Sequence, residues 1–170
     1  MMLTSIIVGL ILLAIDLISK YMAQYMLLGK DIPLIGDWLG LTYTENNGGP
    51  YGWLGGNTTL LIIASIVAIV VLCVVIYYFR KVKYAPVALS IVAAGAFGNF
   101  FDRVVFGHVR DMIRVSIGDF SLTNFVCNIA DIYLWIGIIL FAIIILFFYK
   151  EDKVSAEDAE DKSNSNDVHN

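Results

Sequence analysis

Asn99, Asp102, Asp111, Asn128 and Asp131 lie between two apolar runs that are each long enough to cross a bilayer. Ionisable groups are too costly to leave in lipid, so these side chains must face water, one another or a substrate. The candidate chemistries narrow quickly. The histidines are His108 and His169, and no His-Glu-x-x-His pattern offers zinc ligands. No Gly-x-Ser-x-Gly elbow presents a serine nucleophile. Ser19 and Lys20 are neighbours and diverge on a helix, so they make no serine–lysine pair. Carboxylates remain. Two aspartates held close together cannot both ionise cheaply, so one stays protonated as an acid while the other acts as a base. Such a pair can set water against an amide with neither metal nor cofactor. Spacing leaves open which two of Asp102, Asp111 and Asp131 form it. Asn128-x-x-Asp131 is also a plain helix N-cap pattern. Asn99-x-x-Asp102 repeats that spacing, and Asp102 can pair with a nearby arginine. Asp111 sits in an alternating stretch (Val109, Asp111, Ile113, Val115) that suits a short strand or turn.

The elements that must position these groups are mostly membrane spans. The chain of 170 residues is 59% hydrophobic and 15% charged, with mean hydropathy +0.78. A soluble domain carries about 25% charged residues, so this composition describes a polytopic membrane protein and argues against a nucleic-acid partner. The expected class is an all-α membrane protein, four transmembrane helices with a small extracytoplasmic β-rich loop region. Residues 1–28 form the first span rather than a cleavable leader, with Asp16 and Lys20 four apart on one face that must point into the bundle. Residues 30–57 are polar and glycine-rich, with strand-like alternation at Leu39, Leu41 and Tyr43; Glu45 to Trp53 reads as a turn. Residues 58–79 form a second span in which no functional group stands out. Residues 84–101 make a third, rich in small residues that permit close helix approach. Residues 131–149 make the fourth.

Arg80, Lys81, Lys83 and Lys150 place both termini in the cytoplasm and the loops carrying Asp111 and Asp131 outside. The outer arginines Arg103, Arg110 and Arg114 run against that bias and need a separate reason. Two units are expected: a membrane domain over 1–150 and a disordered acidic cytoplasmic tail over 151–170. The tail holds seven of the 15 acids and lacks apolar periodicity, so the net charge of -4 belongs to it. Cys73 and Cys127 form no spaced set, so neither a disulfide framework nor a metal site is expected.

Several motifs resemble those of the bacterial lipoprotein signal peptidases (signal peptidase II), over essentially all of residues 1–150. Asp16-x-x-x-Lys20 is similar to the family's first-helix motif, and Glu45-Asn46-Asn47-Gly48-Gly49-Pro50-Tyr51-Gly52 to its Asn-x-Gly-Ala-Ala-Phe loop. Gly98-Asn99-x-x-Asp102-Arg103-x-x-x-Gly107-x-Val109-x-Asp111 looks like the third motif and Asn128-x-Ala130-Asp131 like the fourth. The resemblance implies that Asp111 and Asp131 are the catalytic dyad. It implies that Asn46, Asn99, Arg103 and Asn128 line or order the site, with Asp16 and Lys20 in support. It further implies a monomeric aspartyl peptidase of the bacterial plasma membrane, without metal or cofactor, whose partners are membrane lipid and lipid-modified prolipoproteins, cut just before the modified cysteine. Gly49-Pro50-Tyr51, Met112 and Cys127 depart from the family pattern beside, not at, the ionisable positions. A prepilin-type aspartyl peptidase would need a Gly-x-Gly-Asp-like motif, which is absent. An ion path would spread its polar residues through the bilayer rather than gather them at one face.

Overall fold

The computed structural model describes residues 2–48, 57–116 and 124–147. The helices are α1 (Met2–Leu27), α2 (Thr58–Phe79), α3 (Ala85–Phe106) and α4 (Ile129–Phe147). All four are long and apolar enough to cross a membrane. Even the 19 residues of α4 reach about 29 Å at ~1.5 Å per residue. The strands are β1 (Asp31–Ile35), β2 (Leu39–Asn46), β3 (Val109–Ser116) and β4 (Asn124–Cys127), in one antiparallel sheet of order β1-β2-β3-β4. Four spans and a small β-region are as expected, although all-α understates the class: the polar loops fold into one continuous sheet, because both bring alternating β-branched and aromatic residues to pair.

The central helix is α3, which packs against α1, α2 and α4. Its small residues make this possible. A Cβ built on Gly98 would overlap the Asp16 carboxylate of α1, so only glycine admits that side chain between the helices. The faces of α1, α2 and α4 turned away from α3 carry exposed Leu, Ile, Val and Phe, as lipid contact requires. The sheet sits over the C-terminal end of α1, where Ala23 and Leu27 bury Met112 with Leu41, Tyr43 and Ile113 packed around them.

Several boundaries move. The third helix was expected to end at Phe101 but runs to Phe106. Asp102 and Arg103 look like loop residues by polarity, yet both are accommodated inside the protein and the helix continues through them. It stops at Gly107, whose φ of 79° reverses the chain into β3 while its N–H bonds to the Arg103 carbonyl at 3.1 Å. The fourth helix starts two residues before Asp131, at Ile129. Of the turn expected over Glu45–Trp53, Glu45 and Asn46 are the end of β2; residues 49–56 lie outside the described residues. So does the tail, 151–170.

Candidate active site

Asp111 enters the site from β3, only 2% exposed. Two amides address it: Asn46 Nδ2 donates to Oδ2 at 2.9 Å and Asn128 Nδ2 donates to Oδ1 at 2.5 Å. Both amides are held with their NH2 groups towards the carboxylate. The Gly48 N–H donates to Asn46 Oδ1 at 3.2 Å, and the Asp131 N–H donates to Asn128 Oδ1 at 3.1 Å. Burial pushes the Asp111 carboxyl up to about 6; the two amide bonds oppose that rise and the Asp131 charge adds to it. Asp111 is thus held where it exchanges a proton near neutral pH.

Asp131 stands three residues after Asn128, in the first turn of α4. Its Oδ2 accepts from the Asn128 backbone N–H at 3.1 Å while Asn128 Oδ1 accepts from its own, a reciprocal capping box. The capping pattern and the site are the same residues. Asn128 therefore meets both carboxylates, that of Asp111 through its amide NH2 and that of Asp131 through its backbone N–H, while its side-chain oxygen accepts the Asp131 backbone N–H.

Behind Asp131 runs a buried relay. Asn99 Nδ2 donates to Asp131 Oδ1 at 2.8 Å, and Lys20 Nζ donates to Asn99 Oδ1 at 2.8 Å. Lysine only donates, so it fixes which end of the Asn99 amide faces Asp131. Lys20 is paired with Asp16 at 2.8 Å, both fully buried, and Asp16 Oδ1 accepts the Ala130 N–H at 2.9 Å. Asp16 thereby satisfies a free N–H at the start of α4 from a different helix. The Asp16 and Lys20 expected in support hold α1, α3 and α4 in register under the site.

The third acid of the sequence reading meets this relay only at Lys20, whose Nζ lies 3.8 Å from Asp102 Oδ2. Asp102 is fully buried and bound to Arg110 by its side chain (Nη2 to Oδ1 at 2.7 Å, Nε to Oδ2 at 3.2 Å) and by the Arg110 backbone N–H at 3.0 Å. Arg110 also donates to Gln24 Oε1 at 3.3 Å and lies over the Phe106 ring. Strand alternation explains the division: Asp111 faces the site, so Arg110 faces away from it. Arg114 is likewise paired, with Asp31 at 2.9 Å.

Both aspartates line a cavity of about 860 Å³. Its polar end holds Asn46, Asn99, Arg103, Asp111, Asn128 and Asp131; its far end is apolar, between Ala68 of α2 and Leu134, Trp135 and Ile138 of α4. Arg103 reaches Asn99 O at 3.4 Å and Ser65 Oγ at 3.5 Å, and its Nε has no hydrogen-bond partner among the described residues. Ser65 corrects the expectation that the second span carries no group of note; a lone serine in an apolar run gave little signal. Cys127 also lines the cavity. Burial, and then the charges of Asp131 and Asp111, push its thiol up to about 11, so it stays protonated and is no nucleophile. Met112 points to the opposite side of β3, into the packing on α1.

Residues 8–147 match the family model of signal peptidase (SPase) II. A lipoprotein signal peptidase of Staphylococcus aureus is 36% identical over 145 residues, covering 84% of this chain and 88% of that protein. The Geobacillus thermodenitrificans lipoprotein signal peptidase is 34% identical over 143 residues, 83% and 88% of the two chains. A solved structure described as a bacterial membrane enzyme superposes with TM-score 0.70 at 36% identity, over 84% of this chain and 87% of that one. The match runs through all four spans and the sheet between them, and on it the chain belongs to the signal peptidase II family and is a multi-pass membrane protease.

Proposed function

We propose that this chain removes signal peptides from prolipoproteins, cutting just before the diacylglyceryl-modified cysteine, with water activated by Asp111 and Asp131. The observation that carries the reading is that Asn128 bonds both carboxylates, Asp111 by its side-chain amide and Asp131 by its backbone N–H, at the polar end of a cavity that is otherwise apolar. A lipid-modified peptide needs those two surroundings side by side: apolar walls for acyl chains and a hydrogen-bonding end for the scissile amide.

In this mechanism Asp131 is the base and Asp111 the acid. The N-terminus of α4 favours negative charge on Asp131, whereas burial makes Asp111 the readier to hold a proton. Water gives a proton to Asp131 as its oxygen bonds to the scissile carbonyl carbon. Protonated Asp111 donates a hydrogen bond to the carbonyl oxygen, where charge develops. Collapse breaks the C–N bond, and the proton on Asp131 passes to the leaving amine, leaving the dyad with its single shared proton. Asn46 and Asn128 orient Asp111, Asn99 orients Asp131, and Arg103 borders the space for the peptide backbone with donors to spare.

The site faces outwards and both termini lie in the cytoplasm in this reading. Arg80, Lys81 and Lys83 support that orientation. The outer arginines weaken it little, since Arg110 and Arg114 are each paired with an aspartate. A single chain holds every residue of the mechanism, in keeping with a monomer. The test is cleavage of a lipidated prolipoprotein by purified protein, with and without exhaustive chelation. Equal cleavage in both conditions is expected; loss restored by one divalent ion would sink the water-activating dyad.

A further inference from the structure

A second cavity, of about 240 Å³, lies at the other end of the bundle, between α1 and α2 with α3 as its floor. Along α1 it runs from Met2 to Leu13 and along α3 from Pro86 to Phe97. At ~1.5 Å per residue either stretch is about 16 Å, half of the ~30 Å hydrocarbon core. The groove is thus one leaflet deep. It is too short to seat a partner's transmembrane helix along its length.

Its walls are apolar and offer a polar guest nothing. Ser5 and Ser90 are its lining hydroxyls, and each is spent on its own helix: Ser5 Oγ donates to Met2 O at 2.8 Å and Ser90 Oγ to Val87 O at 2.7 Å. Charge enters only at the mouth. Arg80 lines it, its guanidinium carbon 4.0 Å from the centre of the Tyr77 ring and one N–H directed at Tyr77 O at 3.4 Å. Lys81 and Lys83 follow in the same short loop, both exposed. The helices α1 and α3 begin at this end while α2 and α4 finish here, so the helix dipoles largely offset one another and the positive charge is that of Arg80, Lys81 and Lys83. The acids of the four helices, Asp16, Asp102 and Asp131, all belong to the opposite end. Tyr77 and Tyr78, 63% and 75% exposed, mark the depth of the headgroups.

From the leaflet-deep apolar groove closed by an arginine, we infer that the protein binds one anionic phospholipid, its phosphate at Arg80 and one acyl chain between α1 and α2. An uncharged or zwitterionic lipid gains the same apolar contact without the complementary charge. This occupant is separate from the peptide substrate, whose cavity opens between α2 and α4. By filling the space between α1 and α2, the lipid braces α1, the helix that carries Asp16 and Lys20.

Native mass spectrometry of the protein released from an uncharged detergent tests this, with dioleoyl phosphatidylglycerol, dioleoyl phosphatidylcholine and glycerol phosphate as probes. The expected result is one retained phosphatidylglycerol, favoured at least fivefold over phosphatidylcholine, and no retained glycerol phosphate. Arg80→Gln should bring the two lipids to parity, and Ala93→Phe, which fills the floor of the groove, should remove the retained lipid. Lys30→Gln, a charge change at the other end, should leave the preference as it was. Equal retention of the two lipids by the unaltered protein would mean ordinary annular lipid and overturn the inference. So would phosphatidylglycerol binding unchanged by Arg80→Gln, which sits at the half-exposed mouth and decides the question even if Ala93→Phe fails to fold.

Discussion

Replacing Asp111 by asparagine should make the stability of the protein respond to pH in a particular way. In the folded protein burial raises this carboxyl from 3.8 to about 6. The folded state then binds the proton more tightly than the unfolded state. The side chain contributes its full stability below about pH 3.8, and that contribution is lost as pH rises through 6. A rise of roughly two units is worth about 3 kcal/mol, with little solvent screening at 2% exposure. Asparagine does not titrate and carries no such penalty. It brings a different one, independent of pH: Asn46 and Asn128 both present NH2 groups, so one of them would face the new amide NH2, an unmade bond costing about 1–3 kcal/mol. The variant should therefore be less stable than the parent at pH 4 and should equal or overtake it by pH 7.5. Thermal unfolding in micelles, followed by tryptophan fluorescence, measures the difference. A change of about 3 kcal/mol corresponds to roughly 6–12 °C in Tm for a chain of this size. Groups that titrate alike in both proteins cancel. A Tm difference that stays flat from pH 4 to 7.5 would show that burial does not hold the proton on Asp111.

Turnover should fall by orders of magnitude in both Asp111→Asn and Asp131→Asn, whereas Asp102→Asn, which breaks the buried pair with Arg110, should act through stability and spare kcat in the protein that remains folded. In the parent enzyme kcat/KM should decline as pH rises above about 6, when Asp111 gives up its proton; a rate that climbs through that range would exchange the roles of acid and base. Asn46→Ala and Arg103→Ala should leave folded protein but slow cleavage by about 10- to 1000-fold, the equivalent of roughly 1–4 kcal/mol for each lost contact; normal rates would exclude the residue concerned from the site. Reporter fusions after Lys83 and after Ser116 should give opposite locations across the membrane, and matching signals would end the proposed orientation.

Neighbouring residues alone determined a good deal. Four apolar runs of spanning length, the alternation through Asp111 and the capping pattern of Asn128 and Asp131 are all local, because hydropathy and helical or strand periodicity are properties of adjacent positions. The choice among Asp102, Asp111 and Asp131 was not local. It was open from spacing, and only the family resemblance singled out a pair. In three dimensions Asp102 is withdrawn because α3 turns at Gly107 and brings Arg110 of β3 back over it. Asp111 and Asp131 converge because β4 pairs with β3 and delivers Asn128 between them. Polarity likewise suggested ending the third helix before Asp102, since nothing nearby in the chain reveals that its partner will be folded against it. The relay behind Asp131 joins Lys20 to Asn99 across 79 positions and Asp16 to Ala130 across 114. No window of sequence contains such pairs. They form because Gly98 lets α1 approach α3 closely enough for Asp16 to fill the space a Cβ would take, and that contact exists only once the helices have packed.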